Sequence, residues 1–229
     1  MDEVKSFKVG DLTVTIYYDE DPINPREEYD NFGTMVAFHK RYNLGDKTDF
    51  KSSNYGSWRE LEKDLIENHD AAVILPLWLY DHSGLRISTG SFMGRAQHAE
   101  WDSGRVGFTY ATRADVEKEF GVVLPEKLHG KYAGKRWFGP EVKKALEDAE
   151  RTLVSDVETY DLYLSGQVYG YEVREGDKED PETGEVTEGE VIDSCWGFIG
   201  DLSYVEGEAR KAAEGELKRI KKGKPNPRT

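Results

Sequence analysis

An α+β fold, with a mixed or mostly antiparallel sheet packed by one long helix (about 140–165) and shorter helices, is what this sequence predicts. Three observations carry that expectation. Short runs of period-two alternation recur, as in Leu12–Tyr18 and in Val106, Phe108 and Tyr110. One segment, Pro140 to Gly166, keeps a helical apolar stripe throughout: Val142, Leu146, Ala149, Leu153, Val157, Tyr160 and Leu164. The 23 glycines and 13 tyrosines suit turns and half-buried strands better than a helical bundle.

Taken in order, Phe7 to Tyr18 reads as a hairpin turning at Gly10-Asp11. The acidic, proline-punctuated stretch Asp19–Glu28 reads as a loop, and Met35–His39 as a short strand. Ser57-Trp58-Arg59-Glu60 has the form of a capping box, in which the serine oxygen accepts from a free helix amide and the glutamate bonds back. A helix over Trp58–Asn68 follows. Ala71–Tyr80 is a continuous apolar run, expected to be a central strand buried on both faces, with Pro76 forcing a bulge or local edge. Thr112 starts a short helix that Gly121 ends, and Pro140 opens the long one. Val168–Arg174 and Val191–Phe198 read as strands joined by an acidic hairpin tip. A last helix spans about Glu206–Lys222, its late lysines facing the negative end of the helix dipole, and Lys224–Thr229 is expected to be disordered. The order fits a single α+β domain over 1–204, followed by a basic helix and tail over 205–229.

Charge narrows the function. The 229 residues carry a net −14, which disfavours direct nucleic-acid binding. The distribution is uneven: Glu147–Glu208 holds 19 acidic and 3 basic residues, and Ala209–Thr229 holds 8 basic and 2 acidic. One cysteine excludes an intramolecular disulfide and a multi-cysteine zinc site. The charged start Met1-Asp2-Glu3 has no leader pattern, and the longest apolar run is too short to span a bilayer. A cytoplasmic protein without a membrane partner is expected.

Three candidate chemistries stand out. A thiol site would use Cys195 as nucleophile, His82 as base and Asp102 as orienter, since a thiolate needs an imidazole that a carboxylate holds in one tautomer. More broadly, three Asp-Ser corners could line one polar pocket: Asp81, His82 and Ser83; Trp101, Asp102 and Ser103; Asp193, Ser194 and Cys195. The same residues equally make turns, because aspartate and serine bond their own downstream amides. The third candidate is the acidic surface. Glu147, Asp148, Glu150, Asp156, Glu158 and Asp161 lie off the long helix's apolar stripe, and Asp177, Glu179, Asp180 and Glu182 crowd the hairpin tip. Such carboxylate rows can imitate phosphate spacing and occupy a basic groove. A glycine-lysine loop at Gly130–Lys135 lacks the flanking strand and helix of a nucleotide-binding loop. No histidine spacing suits a metal, and no cofactor motif is present.

The stretch Tyr29-Asp30-Asn31-Phe32-Gly33-Thr34-Met35, continuing through Val36-Ala37-Phe38-His39-Lys40-Arg41-Tyr42-Asn43-Leu44-Gly45-Asp46, resembles a family of phage, plasmid and integrated mobile-element proteins. Ile74–Leu77, Tyr80–Gly84, Trp101–Gly104, Val157–Tyr160 and Asp193–Phe198 share the resemblance; the basic segment after Gly200 departs from it. The resemblance implies a small, acidic, cytoplasmic product engaged against host defences. The leading expectation is therefore an inhibitor that binds a basic host protein or nucleoprotein complex, of the anti-CRISPR or anti-restriction type, by DNA mimicry. The alternative is an enzyme or small-ligand protein with its pocket at the three corners.

Overall fold

The computed structural model describes residues 1–125, 139–176, 178–179, 186–187 and 189–223. The Gly130–Lys135 loop, most of the hairpin tip and the Lys224–Thr229 tail lie outside the described residues. Strands β1 (Glu3–Val9) and β2 (Leu12–Tyr18) form the expected hairpin. Helix α1 (Pro25–Glu28) is one turn, capped by the Asn24 side chain accepting from the Arg26 amide at 3.0 Å. Strand β3 (Thr34–Ala37) and a 3-10 turn (Ser52–Asn54) precede α2 (Trp58–Glu67). There Ser57 Oγ accepts from the Glu60 amide at 3.3 Å, but Glu60 reaches back to Gly56 N, at 2.8 Å, not to Ser57. Strands β4 (Ala71–Asp81) and β5 (Leu85–Ser88) form a second hairpin. The short α3 (Ala99–Asp102) runs into β6 (Ser103–Thr112). Thr112 and Asp115 then make a reciprocal capping box for α4 (Arg113–Phe120), which Gly121 ends at φ 64°. Helix α5 (Pro140–Leu164), strand β7 (Val168–Glu175), the ribbon β8 (Lys178–Glu179) and β9 (Val186–Thr187), strand β10 (Glu190–Ile199) and helix α6 (Leu202–Lys221) complete the chain.

These elements are α+β, but they build two antiparallel four-stranded sheets in two compact units. The first unit joins Met1–Ile23 to Gly166–Thr229. Its sheet has the order β1-β2-β7-β10, because β2 pairs with β7 along its whole length, from Leu12↔Glu175 to Tyr18↔Tyr169. Helix α6 covers one face: Val205, Ala209 and Ala213 are buried against Leu12, Val14, Ile16 and Val173. The helix is thus part of this core and not an appendage beyond residue 204. Its small residues recur every four positions, so the helix can approach the sheet closely.

The second unit, Asn24–Ser165, holds a sheet of order β3-β6-β4-β5. Helix α5 packs Leu146, Leu153, Val157 and Tyr160 onto one face, where they meet Val73, Leu77, Leu79 and Val106. Helix α2 packs Leu61 and Leu65 onto the other, against Val36, Phe108 and Tyr110. Strand β4 is therefore covered on both faces, as its apolar run predicts. Pro76 sits opposite Phe108, and the register shifts at the next step, between Leu77 and Trp78. Among the described residues no helix is long and apolar enough to cross a membrane.

Candidate functional site

The stretch Tyr29–Asp46 builds a buried clamp in the second unit. The Arg26 side chain is 1% exposed. Its Nε donates to Asp46 Oδ1 at 2.7 Å, and its Nη2 donates to Asp46 Oδ2 at 2.8 Å and to the Gly33 carbonyl at 2.6 Å. Asp46 Oδ2 also accepts from the Met35 amide at 2.9 Å. From α5, Asp156 Oδ2 lies 3.9 Å from Arg26 Nη1 and accepts from the Gly33 amide at 3.2 Å. Tyr160 Oη accepts from the Gly45 amide at 3.2 Å. The loop that leaves β3 at Phe38 thus returns to the same strand at Gly45-Asp46, where Val36 bridges Gly45 and the Asp46 amide donates to the Met35 carbonyl. One planar guanidinium closes it, because its fork satisfies a carboxylate and a carbonyl together.

Burial raises the Asp156 carboxyl above its usual value, against the opposing pull of the Gly33 amide and of Arg26. A raised carboxyl binds its proton more tightly in the folded chain than in the unfolded one. It favours the fold at acid pH, and that contribution is lost as pH rises from about 3.8 through the raised value. Asp156→Asn, whose amide oxygen can still accept from Gly33, removes this dependence. The stability of the native chain relative to the variant should therefore fall as pH rises above about 3.8 in paired denaturation series. A difference that stays constant or grows would refute this account of Asp156.

Outside the clamp lies a cavity of about 1030 Å³, just above the range typical of small-ligand sites. It is lined by the rings of Phe38, Tyr42, Phe50, Tyr55 and Trp58, all half-buried. Phe38, Phe50, Tyr55 and Trp58 are the outer edge of the α2-side core, whereas Tyr42 packs against the α5-side core. Phe38 lies nearly parallel to Trp58 (centroids 6.1 Å, 15°) and to Tyr55 (6.3 Å, 21°), and His39 stacks on Tyr42 at 4.9 Å. Tyr55 Oη donates to Asp64 Oδ2 at 2.6 Å. Burial first, and then that carboxylate, push the Tyr55 phenol up to about 12, so it stays a neutral donor. Lys40, Lys47 and Lys51 stand at the rim, with Glu27 and Asp46 as the lining acids. Asp46 is taken by Arg26, and Glu27 is 3.2 Å from Lys47. Among the described residues Lys40 and Lys51 have no ion-pair partner.

Two of the three Asp-Ser corners meet. Asp81-His82-Ser83-Gly84 is the β4–β5 turn, with Ser83 at φ 57°, and Trp101-Asp102-Ser103 is the α3–β6 junction. Tyr80 pairs with Ser103 across the strands, and this sets His82 Nδ1 2.9 Å from Asp102 Oδ2. Tyr80 stacks on both His82 and Phe92, Trp101 is 84% exposed, and Asp81 pairs with Arg41. An imidazole fixed by a carboxylate is an oriented base. Among the described residues no hydroxyl bonds it: Ser103 Oγ donates to the Ala99 carbonyl. The third corner is not a turn. Asp193, Ser194 and Cys195 lie within β10 of the first unit, between two register shifts, and Asp193 Oδ1 accepts from the Ser194 amide at 2.9 Å. Cys195 is exposed.

The exposed acidic face of α5 is narrower than its sequence suggests. Glu147 and Glu158 are exposed, but Asp156 turns into the clamp. Asp161 receives Arg86 on both oxygens (2.7–2.9 Å) and the Ile87 amide at 2.7 Å. Asp148 pairs with Arg151, and Glu150 is half-buried. Asp177, Asp180 and Glu182 lie outside the described residues, and of Glu179 only the backbone, in β8, is described. Among the described residues no group of three His, Cys, Asp or Glu side chains is placed to hold a metal ion.

No protein-family model matches the chain, and no solved structure matches it.

Proposed function

We propose that this chain is a small-ligand-binding protein whose site is the cavity lined by Phe38, Tyr42, Phe50, Tyr55 and Trp58. The observation that carries this reading is a set of half-buried aromatic rings around an open volume, on a loop that a buried arginine clamp holds shut. Rings left half-exposed on a fixed loop offer apolar area at little ordering cost. The test is a library of planar compounds, read by the indole N–H resonance of Trp58, which Trp58→Phe assigns. Compounds that bind here should shift that resonance and the Phe38 and Tyr55 amides, and Phe38→Leu should abolish the shifts. A library that leaves all of these unmoved would sink the proposal.

A second reading keeps the acidic surface. Exposed Glu147 and Glu158, together with the acid-rich segment Glu147–Glu208, support binding to a basic host protein or nucleoprotein complex of the defence type. Such association must weaken steeply between low and physiological salt. Binding that is flat with salt would remove it.

A further inference from the structure

We infer that the ligand of this cavity is a nucleoside phosphate, a planar base carrying one anionic tail. The inference rests on the cavity being a ligand site and adds its chemistry. Two features coincide there. The near-parallel faces of Phe38, Tyr55 and Trp58 suit a flat heteroaromatic ring, because stacking on aromatic side chains tolerates any base. Lys40 and Lys51 bring to the lining two positive charges that have no ion-pair partner among the described residues, in a chain of net −14. The buried or neighbouring arginines of this unit are already taken, Arg26 by Asp46, Arg41 by Asp81 and Arg86 by Asp161. Phosphate supplies a counter-charge to these two lysines, because Glu27 and Asp46 on the same lining are taken by Lys47 and Arg26. Asn43, Thr48 and Ser52 add polar groups on the same lining, where a base edge or a ribose needs them.

The same balance argues for a small ligand over a strand. A polyanion crossing the rim must approach a strongly acidic chain, whereas one or two phosphates need only the two lysines. The phosphates are held by Lys40 and Lys51, and the base by the Phe38–Trp58 side.

The experiment is calorimetric titration of the full chain with the four nucleoside 5′-monophosphates, the matching nucleosides, inorganic phosphate and single-stranded oligonucleotides of increasing length. Saturable binding of at least one monophosphate is expected. It should weaken about tenfold for each of Lys40→Gln and Lys51→Gln and fall with added salt. Trp58→Leu should weaken it by a similar factor. Thermal denaturation of the lysine variants should match the native chain, since both side chains are exposed. Three outcomes overturn the inference. Nucleosides bound as well as their phosphates, with the lysine variants indifferent, would mean an uncharged planar ligand. Tighter binding as the oligonucleotide lengthens would mean a strand. No binding by any monophosphate, with planar compounds still shifting Trp58, would discard the nucleotide and leave the ligand site standing.

Discussion

Arg26→Met should destabilise the second unit by about 3–5 kcal/mol, the cost of leaving a buried ionic partner uncompensated. The side chain is 1% exposed and makes three hydrogen bonds to two groups, Asp46 and the Gly33 carbonyl. Without it, Asp46 and Asp156 face each other with no cation between them, and the Gly33 carbonyl loses its donor. Arg26→Lys should recover only part of the loss, because a point charge cannot span both Asp46 oxygens and the carbonyl at once. Arg26→Met combined with Asp46→Asn should cost less than the two changes summed, since they remove one network. Urea denaturation of these three variants and of Asp46→Asn alone measures each effect. An Arg26→Met chain within about 1 kcal/mol of native would show the clamp to be dispensable. The consequence reaches the cavity as well, because Asp46 ties the end of the 38–46 loop to β3. At temperatures where the variant remains folded, the Trp58 and Tyr42 environments should become mobile on the NMR timescale.

Gly107→Ala should cost about 3 kcal/mol, at the upper end for overpacking. A β-carbon at this position would stand 1.9 Å from the Val36 carbonyl oxygen and 2.9 Å from Ala37 Cα, both backbone atoms of β3. No side-chain rotation relieves that contact, so β3 must move away from β6. The Phe38 amide donates to the Val106 carbonyl at 2.7 Å just beyond, so the displacement reaches the root of the cavity loop. Gly104, on the same strand, serves as the control, because a β-carbon there would meet nothing within 4 Å. Gly104→Ala should be near neutral. Equal denaturation midpoints for the two variants would contradict the proposed close approach, as would unchanged amide exchange at Met35, Val36 and Ala37.

Much of the local structure is legible in the sequence. The first hairpin, the Trp58 helix, the Ala71 strand, the Thr112 cap and the Pro140 helix follow from period, capping and glycine placement over short spans. The long helix shows where such reasoning runs out. Lying off the apolar stripe, Asp156 and Asp161 read as members of an exposed face. Yet Asp156 is three residues after Leu153 and four before Tyr160, while Asp161 is four after Val157. Both therefore flank the buried stripe, and whether a flanking carboxylate meets water or an arginine depends on what else packs there. Here Arg26 and Arg86 arrive from elements 130 and 75 residues away in the chain. The cavity escapes sequence reading for a related reason. Five aromatic residues among three lysines within Phe38–Trp58 is a readable signal, but the rings separate into core or ligand site only once the loop is closed.

The sequence by itself determined the α+β class and the longer segments, among them the first hairpin, the Trp58 and Pro140 helices and the Ala71 strand. These depend on hydrogen bonds and side-chain periods spanning a few to about 25 residues, which neighbouring residues set. It missed the one-turn helix Pro25–Glu28, which it read as loop, the short Leu85–Ser88 and Ala99–Asp102 elements, and the start of the last helix at Leu202. The tertiary structure alone decided that β2 pairs with β7 and makes two sheets instead of one, and that α6 belongs to a core. It also decided that His82 finds Asp102 but Asp193 lies in the other unit, and that Arg26 closes the loop at Gly33 and Asp46. Each of these is a pairing between distant segments, fixed by strand register and by buried charges needing partners, and no local pattern encodes which partner will come.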